Sequence, residues 1–218
     1  YYSLPLGAWC EDDGGYDVAT RNALLETTGS NCWGGTGKCL RWNHSNAGGS
    51  DTAAGVYHNF PRVTPGSVGL AIDSDSMAVS FKIRWQAGFE FSNSSSKHMR
   101  AYSGSDSFIS AIKNDGVGLE LIDHTGGSGT GNDDYTLLSV NFDGEQDTWI
   151  DVEYTFDTAG AGKSNTVTTR WRDTTDNSVI VEGEITEAQI GTMTGMIIRG
   201  NFSNTLSGDR PDPNYQYF

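Results

Sequence analysis

Between Val79 and Trp85 apolar and polar residues alternate without a break. Val79, Phe81, Ile83 and Trp85 fall on one side, Ser80, Lys82 and Arg84 on the other. Period two over this length marks a half-buried β-strand. After a polar loop over residues 92–96, a second limb sets Met99 and Ala101 against His98, Arg100 and Tyr102. Pairing of the two limbs across that loop would gather Lys82, Arg84, His98, Arg100 and Tyr102 on one solvent-facing surface. The same alternation returns over residues 149–156, with Ile150, Val152, Tyr154 and Phe156 inside and an acidic outer side of Asp151 and Glu153. Over residues 166–172 Val167, Thr169 and Trp171 oppose Thr168, Arg170 and Arg172, so here the outer side is basic. Residues 196–202 set Arg199 and Asn201 opposite Met196 and Ile198.

Shorter strands are predicted over residues 40–43, 55–60, 68–72 and 137–142, and a hairpin joins 108–112 to 117–122 around the Lys113-Asn-Asp-Gly116 turn. His58 shares its side with Val56 and Phe60 and reads as a core histidine. Helical periodicity reaches only about two turns, at residues 19–26 and 185–190. Glycine (28 residues) and polar turn clusters punctuate the chain. Strands exposing acids beside strands exposing bases are what two stacked sheets with different outer surfaces would give. The expectation is an all-β sandwich of two antiparallel sheets, one domain over residues 1–218.

The formal charge of −14 sets the chain against nucleic acid and anionic membranes as partners. No apolar run of ~18 residues is present to span a bilayer. The local picture differs: Lys82, Arg84, Lys97, Arg100, Arg170, Arg172 and Arg199 are half of the 14 bases, all on or beside strand-like segments. They are either ordinary solvated strand faces or one cationic surface for an anionic ligand. Cys32 and Cys39 bracket WGGTGK and could close a small disulfide ring, with Cys10 left over or paired with one of them instead. A disulfide suits a secreted, extracellular or periplasmic protein. Three cysteines without a nearby histidine pair make zinc a poor fit. The Glu11-Asp12-Asp13 cluster reads as a solvated turn, with structural calcium the one ion it could hold. No cofactor is otherwise required, and no metal ligand is assigned.

Cationic and proton-transfer groups in this arrangement suit β-elimination on a uronate polymer. An Arg neutralises the carboxylate so that the C5 proton becomes acidic, a base removes it, and an acid protonates the leaving oxygen. His98 and Tyr102 are the candidates for proton transfer, Arg100 for carboxylate neutralisation, and Lys97 stands beside them. Lys82, Arg84, Arg170, Arg199 and Asn201 would line the groove, with Trp171 or Tyr102 as a sugar platform. Glycoside hydrolysis needs paired carboxylates. Asp151/Glu153 and Glu182/Glu184 are the available pairs, and both read better as solvated faces. No Gly-x-Ser-x-Gly elbow supports a serine nucleophile.

The run FKIRWQAGFEFSNSSSKHMRAYSG resembles the Phe-rich strand, Gly-Phe-acid-Phe loop and Lys-containing strand of concanavalin-like β-jelly-roll polysaccharide lyases, the alginate, glucuronan and ulvan lyases among them. WIDVEYTF, TTRWRD and GMIIRGNFSN are similar to later strands of that superfamily. The resemblance implies a jelly roll, a polysaccharide lyase acting on an anionic polysaccharide, and an active-site role for Lys97. The Pro-Gly that follows this lysine in relatives is Met99-Arg100 here, and the Arg-Thr-Glu-x-Arg and Gln-Ile-His motifs are absent. A Tyr-x-Tyr pair occurs only at Tyr215-Gln-Tyr217 and is left out of the site. The expected protein is thus a secreted, monomeric lyase; the rival is a non-catalytic carbohydrate-binding module or lectin on the same fold.

Overall fold

The computed structural model describes residues 25–43, 76–91, 95–103, 106–113, 116–124, 133–158, 165–186, 191, 193, 195–202 and 214–218. The strands predicted over residues 55–60 and 68–72, His58, Cys10 and the Glu11-Asp12-Asp13 cluster lie outside them. The described residues build two antiparallel sheets packed face to face. The strands are β1 (Leu25–Glu26), β2 (Cys39–Asn43), β3 (Ser76–Trp85), β4 (Ser95–Ser103), β5 (Asp106–Lys113) and β6 (Leu119–His124). They continue as β7 (Asp133–Leu138), β8 (Ile150–Asp157), β9 (Thr166–Asp173), β10 (Val179–Ile185), β11 (Gly195–Phe202) and β12 (Tyr215–Tyr217). Seven strands make one sheet in the order β1-β2-β12-β3-β8-β9-β10, and five make the other in the order β11-β4-β5-β6-β7.

Alternation decides which side of each strand is dry. Ile83 and Trp85 of β3, Ile150, Val152, Tyr154 and Phe156 of β8, and Val167 and Trp171 of β9 face Met99, Ala101, Phe108, Ile112, Leu119 and Leu121 of the other sheet in one core. At the centre Trp85 stacks on Trp171 at 6.5 Å and meets Phe91 and Phe142 at 5.0 and 5.4 Å. Large rings fill the space between twisted sheets with few side chains, and their offset and edge contacts add to simple burial.

Two elements differ from the sequence expectation. The strand predicted at 137–142 lies earlier, at Asp133–Leu138, and Phe142–Glu145 forms a 3-10 turn that drops Phe142 into the core. More consequentially, β3 and β4 do not pair. β3 lies between β12 and β8, whereas β4 lies between β11 and β5. The loop after Trp85 crosses from one sheet to the other, carrying Phe89 and Phe91 into the interior as it goes. An apolar connection of this kind bridges layers rather than closing a hairpin.

The β5–β6 hairpin turns through Gly116, at φ 88°, and a Cβ there would lie 2.7 Å from the ring of Phe91. That ring is pinned against Trp85 and cannot yield. Gly116→Ala is therefore expected to cost about 1–3 kcal/mol in chemical denaturation, from positive φ and overlap together; a change under ~0.5 kcal/mol would contradict this placement.

Candidate functional site

The residues expected to form one cationic surface are distributed over three environments. His98 is inside. The β4–β5 register passes from Lys97↔Ala111 to Met99↔Ser110, so His98 is an extra residue, a β-bulge. The bulge interrupts the alternation and turns His98 inward beside Met99 and Ala101, leaving it 1% exposed. Its Nε2 lies 2.7 Å from the Tyr154 hydroxyl, which donates to Ser110 Oγ at 2.7 Å. Burial pushes the Tyr154 phenol far up, against smaller opposing effects of Ser110, Thr169 and Trp171, so the hydroxyl stays protonated. Trp171 stands edge-on to His98 at 4.8 Å. This tryptophan is fully buried and donates from Nε1 to Thr169 Oγ1, so the sugar-platform expectation for it is corrected.

Lys97 and Arg100 lie on the outer side of the five-stranded sheet, where Arg100 donates to Ser107 Oγ at 3.0 Å. Tyr102 takes a register position in β4 opposite Ser107 and Gly195, and Asn201 is paired with Lys97 from β11, the strand that also carries Arg199. Lys82, Arg84 and Arg170 occupy the outer side of the other sheet. The sandwich, about 10 Å between sheet planes, separates the two groups. The single cationic trough is thus corrected: the alternation of each limb was legible, but which sheet each joined was not.

Among the described residues, the outer face of the seven-stranded sheet holds the densest set of chemically useful side chains. Cross-strand register places Arg41, Tyr217 and Arg84 in one row and Lys82, Asp151 and Arg172 in the next. Ser80, Glu153, Arg170 and Glu182 form a third. Arg41 packs over Tyr215 at 4.4 Å, while Arg84 packs over Tyr217 at 4.5 Å and Trp149 at 5.5 Å. Beside them Trp33, 47% exposed, stands edge-on to Trp149 at 6.1 Å, with the Lys82 ammonium 4.6 Å over its ring. Tyr215, Trp149 and Trp33 form an aromatic strip edged by cations, with Tyr217 buried beneath Arg84. Burial raises the Tyr217 pKa, with Glu26 and Tyr215 adding and Arg84 and Arg41 opposing, so it remains a phenol.

The disulfide between Cys32 and Cys39 presents Trp33, with Cα atoms 5.5 Å apart. Gly34, Gly35 and Gly37 in this ring all have positive φ, which the WGGTGK composition makes possible. Arg84 Nη2 donates to the Asn31 carbonyl at 2.9 Å, and Glu26 holds the ring from below. The buried Glu26 carboxylate accepts from Thr28 N at 2.7 Å, Asn31 Nδ2 at 3.2 Å and Arg41 Nη1 at 2.8 Å. Burial alone would raise its pKa, but these donors outweigh it and hold Glu26 below the ordinary glutamate range. A depressed carboxyl stabilises the fold fully above its unfolded pKa and loses that contribution as pH falls through its folded one. Glu26→Gln is therefore expected to flatten the loss of melting temperature below about pH 4.5 relative to wild type; identical acid profiles would contradict the assignment.

Sequence reasoning missed Trp33, Trp149, Arg41 and the Tyr215/Tyr217 pair. The available signal was the tyrosine spacing itself, since residues two apart on a strand share a face; its place in the middle of a sheet was not available. No family model matches this chain, and no curated protein does.

Every cation described on the strands of this face has a carboxylate partner. Lys82 pairs with Asp151, Arg84 with Asp147 at 3.3 Å, Arg170 with Glu182 at 3.0 Å and Arg172 with Glu153 at 3.0 Å; Arg41 is held by Glu26. Over β8–β10 a shallow groove of about 540 Å³ carries Thr155 and Thr168 among Glu153, Arg170, Glu182 and Glu184. Of the carboxylates expected as solvated faces, Asp151, Glu153 and Glu182 belong to these ion pairs and Glu184 lines the groove.

Proposed function

We propose that this chain is a carbohydrate-binding β-sandwich of lectin-like, jelly-roll type, holding an extended glycan along the outer face of its seven-stranded sheet. The observation that carries this reading is the exposed Trp33 on its disulfide ring, edge-on to Trp149, with Tyr215 further along the same face. A pyranose ring presents an apolar face of C–H groups, whose positive ends suit the negative face of an aromatic ring. Amide, hydroxyl and ionic side chains at the rim then fix its hydroxyl groups. In support of the jelly roll, the chain passes repeatedly between sheets, and the C-terminal β12 inserts between β2 and β3.

Polysaccharide lyase activity, expected from the sequence, would need His98, Arg100 and Tyr102 to act on one substrate. An interior His98 bonded to Tyr154 does not suit proton transfer to a polymer outside. Binding without turnover is the reading adopted. Affinity electrophoresis through gels loaded with individual polysaccharides tests it, alongside ultraviolet detection of unsaturated uronate ends. Retardation without new ends is expected, and Trp33→Ala should sharply reduce it. Release of unsaturated ends, or no retardation by any glycan, would overturn the proposal.

A further inference from the structure

Resting on that reading of the site, we infer that the occupant of the aromatic strip is an uncharged polysaccharide. The chemistry is set by how charge is distributed over the face. Five basic side chains occur on the strands of this face among the described residues, and each is already held by a carboxylate of its own. Glu184 adds a sixth carboxylate at the groove. A polyuronate approaching this surface would have to break ion pairs one by one, and would bring its own carboxylates against Asp147, Asp151 and Glu182. Each exchange replaces one ion pair by another and strands a carboxylate, so it gives no net attraction.

An uncharged sugar chain meets the same face without that conflict. Its hydroxyl groups donate to carboxylate oxygens, which accept only, and accept from guanidinium N–H groups, which donate only. Charge-assisted bonds of both polarities can therefore form while the ion pairs stay in place. Thr155 and Thr168 supply hydroxyls that do either. The cations also have a second task that a bound anion would disturb: Lys82, Arg84 and Arg41 each lie over an aromatic ring of the strip and hold it in position. Arg84 is the most committed, since it also bonds the Asn31 carbonyl that anchors the Trp33 ring.

The test compares the whole chain on neutral probes (mixed-linkage β-glucan, galactomannan, arabinoxylan) and anionic ones (alginate, polyglucuronate, ulvan), by isothermal titration at low and high sodium chloride. Binding to at least one neutral probe is expected, changing less than about twofold with salt because no counterion is displaced. Trp33→Ala should weaken it roughly tenfold or more. Arg170→Gln, which removes the ion-pair partner of Glu182, reports on charge: under this inference neutral-glycan binding keeps its weak salt dependence in this variant, and a steep salt dependence would overturn it. Binding confined to the anionic probes and falling steeply with salt would overturn the inference while leaving carbohydrate binding intact. Failure of all six probes would remove the binding reading itself. Neutral binding that Trp33→Ala leaves unchanged would overturn the assignment to this strip.

Discussion

Trp85→Ala is expected to lower the free energy of unfolding by about 3–5 kcal/mol, the range for deleting a large ring from a core that cannot collapse around the gap. Trp85 lies where four other buried rings meet. It stacks on Trp171 from the same sheet and touches Phe89, Phe91 and Phe142 from the segments that cross between sheets. None of these can move into the space without breaking a contact of its own: Phe142 is held by Trp171 at 5.1 Å and Phe91 by Phe89 at 5.0 Å. Total stability in a domain of this kind is about 5–15 kcal/mol, so the alanine variant is at the edge of folding. Trp85→Phe keeps a ring in place and supplies the measurable companion, with an expected loss of about 1–2 kcal/mol. Guanidinium denaturation followed by far-ultraviolet circular dichroism checks both. Trp85→Ala with a midpoint equal to wild type would show that the two sheets do not meet at this residue.

Tyr154→Phe should cost about 2–4 kcal/mol although it removes a single oxygen. That oxygen joins His98 Nε2 to Ser110 Oγ in a fully buried line running from β4 through β8 to β5. Its removal takes a hydrogen-bond partner from His98 on one side and from Ser110 on the other, within a core lined by Phe108, Trp171 and Met99. The loss exceeds the worth of the bonds themselves because buried polar groups that lose a partner keep their desolvation cost. Once Tyr154 is Phe, adding Ser110→Ala should cost little more, since the serine has already lost this partner; strict additivity of the two changes would contradict the connected line. The same comparison separates a structural histidine from an acid-base one. The bulge that carries His98 into the core gives it a partner in the opposite sheet, and this tie between layers accounts for its presence on β4.

Much of the fold was legible because alternation is a local signal. The inward sets Ile150, Val152, Tyr154, Phe156 and Val167, Thr169, Trp171 follow directly from period two, and the structure buries each of them. The error came from relations that alternation does not encode. A one-residue bulge at His98 reverses a side chain's direction without changing the residues around it, and period-two reading carried the wrong face across it. The partner of β3 was equally hidden. The polar loop after Phe91 resembles a hairpin connection, whereas Phe89 and Phe91 report that the chain dives through the core. Trp33 escaped notice for another reason: it lies on a glycine-rich ring with no periodicity, and only the Cys32–Cys39 closure and its contacts with Lys82 and Trp149 reveal what it faces. Half of the bases did fall on strands as read, but the carboxylates that neutralise Lys82, Arg170 and Arg172 are on neighbouring strands. Charge pairing in a sheet is a cross-strand property, and composition along one strand overstates how basic its face is.

The most direct test of where this protein meets its ligand is hydroxyl-radical footprinting of the whole chain with and without the neutral glycan it binds tightest. Protection is predicted at Trp33, Trp149 and Tyr215, with Met99 unreactive in both states because it lies inside the sandwich. Protection confined to the outer side of the five-stranded sheet, around Tyr135 and Leu137, with Trp33 equally oxidised in both samples, would contradict the account.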